Sequence, residues 1–184
     1  MCSSDLAQST LGVLVDIDVG MHRTGVQTIE ESLKLAQHID RTKGLRLDGI
    51  MCYPGHVAGS VEEQISTQLK PVQDILAAAI DLWKQHGLQA KIVSGGSTPT
   101  AFQSHHVPAF TEIRPGTYIY NDWNCVTGQW VTLDDCAARI LCTVISDAVP
   151  QKFVIDGGSK TFTSDRNFLK PDTAGDRKST RLNS

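Results

Sequence analysis

An alternation of strand-like and helix-like segments is the feature that most constrains how this chain can fold. Four apolar runs have the character of strands: 11–16, 47–53, 90–94 and a short one around Ile113. Apolar residues spaced three and four apart indicate amphipathic helices over 28–42 and 61–83, between these runs. Strands that alternate with helices predict parallel βα units. Four such units are half of an eight-stranded barrel.

Three residues mark the ends and the irregularities of the two helices. Gly44 and Gly87 follow the helical patterns directly and predict their carboxyl ends. Pro71 lies inside the second pattern, where its ring and its missing N–H predict a kink or a split.

The pattern changes after about residue 134. Three β-like runs, 137–146, 152–156 and 160–163, follow one another without an intervening helix. Such runs predict antiparallel strands. We therefore expect an α/β domain over 7–133 and the start of a β-rich second domain over 134–175.

A glycine-rich stretch, Val93-Ser-Gly-Gly-Ser-Thr-Pro-Thr100, follows the third strand. Gly95 and Gly96 allow the backbone to approach a ligand closely, and Pro99 suits the first turn of a helix. Backbone N–H groups and the hydroxyls of Ser97 or Thr98 would donate to an anion at a helix amino end. The stretch predicts a phosphate site.

Three more motifs occupy strand ends: Asp18-Val-Gly-Met-His-Arg-Thr-Gly25, Tyr53-Pro-Gly-His56 and Glu112-Ile-Arg-Pro-Gly-Thr-Tyr118. With the glycine-rich stretch, their order resembles that of the alanine-racemase-like pyridoxal 5′-phosphate (PLP) barrels, and within these the D-threonine aldolase and D-serine dehydratase group. The resemblance covers roughly 11–165. It implies the carboxyl-terminal half of a (β/α)8 barrel followed by the start of a β-rich domain.

The resemblance also implies roles for individual residues. Arg23 would lie beside the phenolic oxygen of PLP, and Tyr53 near its pyridine ring. His56 is a candidate catalytic base, because the pKa of a histidine can lie near working pH. The phosphate would be held by residues of two neighbouring loops: Gly95, Gly96, Ser97, Thr98, Gly116, Thr117 and Tyr118. Arg114 is interpreted as structural, paired with Glu112 or another carboxylate.

The activity that this resemblance implies is that of a PLP-dependent lyase acting on D-3-hydroxy amino acids, by aldol cleavage of D-threonine or dehydration of D-serine. The family uses a divalent metal, zinc or manganese, and is expected to form homodimers. Its cofactor-binding lysine and its metal ligands are expected to lie outside this sequence. We therefore expect no metal site in this chain and no activity from the chain alone.

Three other functions remain open from the sequence. An amino-acid racemase would need a catalytic tyrosine from the second domain. A non-catalytic PLP-binding protein is a single barrel, so the β-rich segment argues against it. A metal-free sugar-phosphate barrel is a third possibility, favoured if no cofactor lysine precedes this segment in the gene.

Composition excludes several classes of partner. The formal charge of −3 and the scattered basic residues argue against a nucleic-acid surface. No apolar run reaches the length of about 18 residues that predicts a membrane span. Cys52, Cys125, Cys136 and Cys142 form no CxxC pair, which favours free thiols in a reducing, cytoplasmic setting. Residues 1–6 and 176–184 match translated sequencing adapters and are interpreted as adapter-derived.

Overall fold

A computed structural model of the chain describes residues 9–158 and 160–162. The segments 1–6 and 176–184, interpreted above as adapter-derived, lie outside the described residues. The chain divides into two compact units, Met1–Tyr118 and Ile119–Ser184. This division falls earlier than the expected domain boundary after residue 133, which stays a prediction.

A four-stranded parallel sheet forms the centre of the first unit. Its strands are β1 (Leu11–Asp16), β2 (Leu45–Met51), β3 (Ile92–Gly95) and β4 (Glu112–Ile113). They lie side by side in chain order and every neighbouring pair is parallel. The prediction of successive βα units is therefore confirmed. The predicted bounds of β2 and β3 were wrong by about two residues, so Tyr53 lies beyond its strand and Gly95 ends one.

The first helix, α1 (Ile29–Arg41), begins at a capping box. The Thr28 hydroxyl accepts a hydrogen bond from the N–H of Glu31, and the Glu31 carboxylate accepts one from the N–H of Thr28. This reciprocal pair satisfies donors that the first helical turn leaves open. The helix fills the predicted range and buries Ala36 and Ile39.

The second helical segment is irregular where Pro71 predicted a kink. A single turn, α2 (Val61–Glu63), continues into a π-helical turn (Gln64–Gln68) and then into α3 (Leu69–Gln85). In the π-turn the N–H of Leu69 donates to the carbonyl of Gln64, five residues earlier. Pro71 has no N–H for the carbonyl of Thr67, and its ring crowds that carbonyl. The widened turn accommodates both effects.

Helix α3 is held against α1 by a buried indole. Trp83 is fully buried, and its Nε1 donates to the Ser32 hydroxyl at 3.0 Å. That hydroxyl donates onward to the carbonyl of Ile29 at 2.7 Å. Both polar atoms are therefore satisfied inside the core, where an unpaired donor would cost about 1–3 kcal/mol. Helix α3 ends at Gln85 with His86 as its C-cap, and Gly87 follows with a φ of +77°.

The second unit contains a short helix, α4 (Trp123–Thr127), and two antiparallel strands, β5 (Val144–Ser146) and β6 (Val154–Ile155). The antiparallel pairing is as predicted, but only the last three residues of the run 137–146 are in a strand. Strand β6 has only two residues, so few residues of β5 can pair with it. The predicted run 160–163 begins in a turn, and Thr163 lies outside the described residues. No described helix is long and apolar enough to cross a membrane.

Candidate functional site

The predicted site residues come together at one edge of the parallel sheet. Each of the four motifs either follows a different strand or runs through its carboxyl end. Because the strands are parallel and adjacent, these ends meet on the same side of the sheet. Parallel α/β folds place their ligand sites at this edge. The loops after β1 and β2 form one part of the edge, and those after β3 and β4 form another.

Asp18 organises the loop after β1. Its side chain is 3% exposed, and one carboxylate oxygen accepts hydrogen bonds from the N–H groups of Gly20 and His22. The other accepts one from Nδ1 of His22 at 2.9 Å. Burial alone would raise the pKa of Asp18, but the hydrogen bonds from Gly20 and His22 lower it to about 2. The sequence placed this carboxylate at a strand end without indicating its role.

Replacing Asp18 by Asn should remove an acid-dependent part of the stability. The pKa of Asp18 is about 2 in the folded protein, against 3.8 for an aspartate without these contacts, as in the unfolded chain. The stabilisation is therefore present above about pH 4 and is lost as the pH falls towards 2. We expect about 1 kcal/mol, after allowance for solvent screening at the rim of the fold. Urea unfolding at pH 5 and pH 2.5 measures it. An Asp18→Asn protein with the wild-type pH dependence would contradict the assignment.

His56 packs against the Asp18 loop. A Cβ atom at Gly20 would lie 2.9 Å from Nε2 of His56, so the ring rests directly on this glycine, whose φ is +117°. Partial burial lowers the pKa of His56; Asp18 raises it and His22 lowers it, and the net shift is downward. The imidazole is therefore neutral at pH 7 and able to accept a proton. A neutral ring nitrogen is what a general base requires, and the role of His56 as a base stays a prediction.

Arg23 and Tyr53, which the sequence assigned separately to a bound cofactor, lie against each other. The Cζ atom of Arg23 lies 4.3 Å from the centre of the Tyr53 ring, which is cation–π geometry. Both residues line a small depression with Ile17, Asp18, Met21 and Thr24. Arg23 makes no ion pair within the described residues. The ring contact holds the guanidinium without using its N–H groups, which remain suited to an anion.

Gly95 and Gly96 are required by packing as well as by any ligand. A Cβ atom at Gly95 would collide with the Phe110 ring, and one at Gly96 would lie 3.1 Å from side-chain atoms of Ile113. Gly96 also has a φ of +73°, which favours glycine. The structure shows a close approach of the backbone to Phe110 and Ile113, and the expected approach to a ligand stays a prediction. Only long-range packing sets these contacts, so the sequence did not reveal them.

The polypeptide after Gly96 differs from the expected helix. Residues 98–100 form a turn, and a six-residue 3₁₀ helix (Ala101–His106) follows, so Pro99 does not occupy the first turn of a helix. Ser97 is buried, and its N–H and hydroxyl both contact the hydroxyl of Thr100. The Thr100 carbonyl in turn accepts from Ser104. The hydroxyls of Ser97 and Thr100 therefore stabilise the turn itself.

Thr98 joins the loops after β3 and β4. Its hydroxyl oxygen accepts hydrogen bonds from the N–H groups of Gly116 and Thr117, at 3.2 and 3.0 Å. Three polar groups from two loops therefore converge on one exposed point. Two adjacent backbone N–H groups and a hydroxyl form the kind of donor set that binds phosphate oxygens. Tyr118 follows them with its side chain 54% exposed.

Arg114 has different partners from those expected. Its guanidinium donates to the Ser94 hydroxyl and, at 2.7 Å, to the carbonyl of Cys52. The interpretation of Arg114 as structural is consistent with these bonds, but the predicted carboxylate partner was wrong. Arg114 instead ties together the carboxyl ends of β2 and β3. Burial raises the pKa of Cys52 to about 12, so its thiol stays neutral beside this cation.

The described residues contain no cluster of three or more His, Cys, Asp or Glu side chains that could hold a metal ion. The adjacent rings of His105 and His106 are 4.1 Å apart and exposed. Cys52 and Cys125 are buried free thiols, and Cys136 and Cys142 are partly buried ones.

Known proteins share this sequence pattern. The family described as alanine racemase, N-terminal domain, matches residues 3–122. A D-threonine aldolase from Arthrobacter sp is 26% identical over 162 residues, which are 86% of this chain and 43% of the aldolase. A D-threo-3-hydroxyaspartate dehydratase from Delftia sp. (strain HT23) is 30% identical over 166 residues, 86% of this chain and 42% of the dehydratase.

The fold is shared as well. The solved structure of the Delftia dehydratase superimposes with a TM-score of 0.75 at 25% sequence identity, covering 91% of this chain and 45% of that one. This chain therefore spans less than half the length of these relatives. Its parallel sheet corresponds to part of their barrel.

Proposed function

This chain belongs to the alanine racemase N-terminal domain family, and on that premise we propose that it forms part of a PLP-dependent lyase acting on D-3-hydroxy amino acids. The family supports PLP as the cofactor. The relatives named above are an aldolase and a dehydratase of hydroxylated D-amino acids. Aldol cleavage and dehydration both remain within the proposal.

The observation that carries the proposal is the donor set at Thr98. The N–H groups of Gly116 and Thr117 both donate to the Thr98 hydroxyl at an exposed position. A phosphate oxygen that displaced this hydroxyl would receive both N–H groups, and the rotated hydroxyl could donate to it as well. The two loops come from neighbouring parallel strands, so the position is fixed by the sheet. These residues fit the phosphate of PLP. Ser97 would act indirectly, because its hydroxyl is engaged with Thr100.

Arg23 and Tyr53 fit the aromatic part of the cofactor. A guanidinium held over a tyrosine ring keeps its N–H groups for an anionic oxygen, such as the phenolate of PLP. Tyr53 follows the neighbouring strand, so both side chains can contact one ring bound at this edge. Bound PLP would supply an electron sink for the bond that breaks at Cα of the substrate.

His56 would act as the base. Its lowered pKa leaves the ring neutral, so a ring nitrogen can accept the proton of the substrate β-hydroxyl while the Cα–Cβ bond weakens. Asp18, which carries a full negative charge at neutral pH, stabilises the positive charge that forms on the ring, whereas His22 opposes it.

The remaining expectations belong to the same proposal. A zinc or manganese ion, a homodimer and a cytoplasmic location are implied by the family and stay predictions. Metal ligands would come from residues other than those described. The aldolase and the dehydratase named above are each more than twice as long as the segment that this chain matches. The proposed activity is therefore that of the full-length protein.

An assay of that protein tests the proposal. With PLP and Mn²⁺ or Zn²⁺ present, we expect cleavage of D-threonine to glycine and acetaldehyde, or loss of ammonia from D-serine or D-threo-3-hydroxyaspartate. The L-enantiomers serve as the control and should react at least about 100-fold more slowly, a difference of about 2.7 kcal/mol in transition-state binding. Racemisation of alanine without cleavage or dehydration of any hydroxy amino acid would contradict it.

A further inference from the structure

The loop that carries His56 is held at both ends. It spans residues 53–60, between β2 and α2. Pro54 and Val57 are buried, and the N–H of Val57 donates to the carbonyl of Pro54 at 3.1 Å. His56 lies between these two anchors, with its ring on Gly20. The position of the ring therefore depends on the path of this short loop.

Two glutamines of the π-turn bind the backbone of the same loop. Oε1 of Gln68 accepts a hydrogen bond from the N–H of Ala58 at 3.0 Å. Nε2 of Gln64 donates to the carbonyl of Gly59 at 3.2 Å. Residues four apart face the same side of a helix, so the π-turn presents both carboxamides to the loop. Together they fix the Val57–Ala58 and Gly59–Ser60 peptide units of the loop.

The side chain of Gln64 lowers the stability of the fold at its position. It is fully buried, and its Oε1 has no hydrogen-bond partner among the described residues. A buried, unsatisfied acceptor costs about 1–3 kcal/mol, and an apolar side chain of similar volume would avoid that cost. Packing therefore does not explain the carboxamide. The bond from its Nε2 to the Gly59 carbonyl does.

We propose that Gln64 and Gln68 are positioning residues for His56, with the π-turn acting as a clamp on loop 53–60. The inference rests on the proposed function, in which His56 accepts a proton from the substrate. Pro71 favours the widened turn, so one proline sets the geometry that the two glutamines use. Releasing either bond would let the loop move and carry the ring away from Gly20, Asp18 and His22.

Replacement of each glutamine by methionine tests the clamp in the full-length holoenzyme. Methionine keeps the volume and removes the hydrogen bond. We expect kcat to fall about 10-fold or more, because a small misplacement of a catalytic group lowers the rate strongly. KM and the amount of bound PLP should stay nearly unchanged. Gln64→Met should keep or raise the melting temperature, since it also removes the unsatisfied acceptor. A wild-type kcat in both variants would overturn the proposal.

Gln73→Met is the matched control. Gln73 lies on α3, and its Oε1 accepts from the N–H of Ala109 at 3.1 Å. It therefore binds a loop in the same manner but a different loop, one that does not carry His56. We expect its kcat to stay near the wild-type value. An equal loss of kcat in Gln73→Met and Gln64→Met would overturn the clamp, because any loop-binding glutamine would then matter.

A titration of the His56 ring by NMR separates this inference from the proposed function. The pKa of His56 is lowered by partial burial, while Asp18 and His22 face the ring and act in opposite directions. Loosening the clamp moves the ring off Gly20 and into water, so its pKa should rise towards the ordinary value in Gln64→Met and not in Gln73→Met. An unchanged pKa in Gln64→Met would overturn the clamp. Absence of lyase activity in the wild type would overturn the function and leave this readout intact.

Discussion

Replacing Gly96 by Asp in the full-length protein is expected to abolish retention of PLP. The backbone of Gly96 has a φ of +73°, and a Cβ atom there would lie 3.1 Å from Ile113 and 3.3 Å from the Ser104 hydroxyl. The new side chain must displace one of these neighbours or distort the loop that precedes Thr98. The carboxylate would also repel a phosphate bound at the same loop. Like charges brought together in this way cost several kcal/mol, so we expect the dissociation constant to rise more than about 100-fold.

Gly87→Asp is the matched control for this variant. Gly87 has a similar φ of +77° but nothing within 4 Å of the Cβ position, so it bears the same backbone strain away from the site. Absorbance of bound PLP after gel filtration measures the outcome. Normal PLP absorbance in Gly96→Asp would contradict the assignment of this loop to the phosphate. Equal losses in both variants would attribute the effect to strain alone.

Replacing His56 by Ala is expected to lower kcat by about 10²–10⁴-fold, the usual contribution of a general base. PLP content should stay at the wild-type level, because the phosphate and ring contacts come from other loops. In the wild type, the pKa of His56 is lowered, so kcat should persist to a lower pH than an unperturbed histidine near 6.5 would allow. It should decline only where this ring becomes protonated.

His105→Ala provides the comparison for that experiment. His105 is exposed on the 3₁₀ helix after the glycine-rich loop and is assigned no part in the reaction. Its kcat should match the wild type. A His56→Ala enzyme with near-normal turnover would require a different base. His22 would then be the next residue to replace, because Asp18 orients its ring at the same edge.

Local signals in the sequence predicted the architecture of the first unit. Helix α1 was predicted within one residue at each end, because Thr28 and its apolar periodicity act within a few residues. The effect of Pro71 was predicted as a kink, and its form as a π-turn depends on how the turn accommodates the Thr67 carbonyl. In the second unit, the strand run 137–146 was predicted too long because pairing depends on a distant partner, β6.

The sequence indicated which loops share the sheet edge but not the contacts within them. The order of motifs along the chain identified the loops, whereas the packing of Arg23 on the Tyr53 ring was not predicted, and the binding roles of these residues stay predictions. Arg114 donates to the carbonyl of Cys52, which lies 62 residues earlier in the chain, and no local pattern specifies that bond. The packing of Gly95 on Phe110 and the link from Thr98 to Gly116 are likewise products of the folded sheet.

The central claim is that the loops after β3 and β4 bind the phosphate of PLP. Equilibrium dialysis of PLP and of pyridoxal, which lacks the phosphate, against the full-length protein and its Thr98→Val variant tests it most directly. The wild type should bind PLP at least about 100-fold more tightly than pyridoxal. Thr98→Val should lose about tenfold of that preference, because a hydrogen bond to a charged group contributes about 1.5–3 kcal/mol. Equal affinities for PLP and pyridoxal in the wild type, or an unchanged preference in the variant, would contradict the claim.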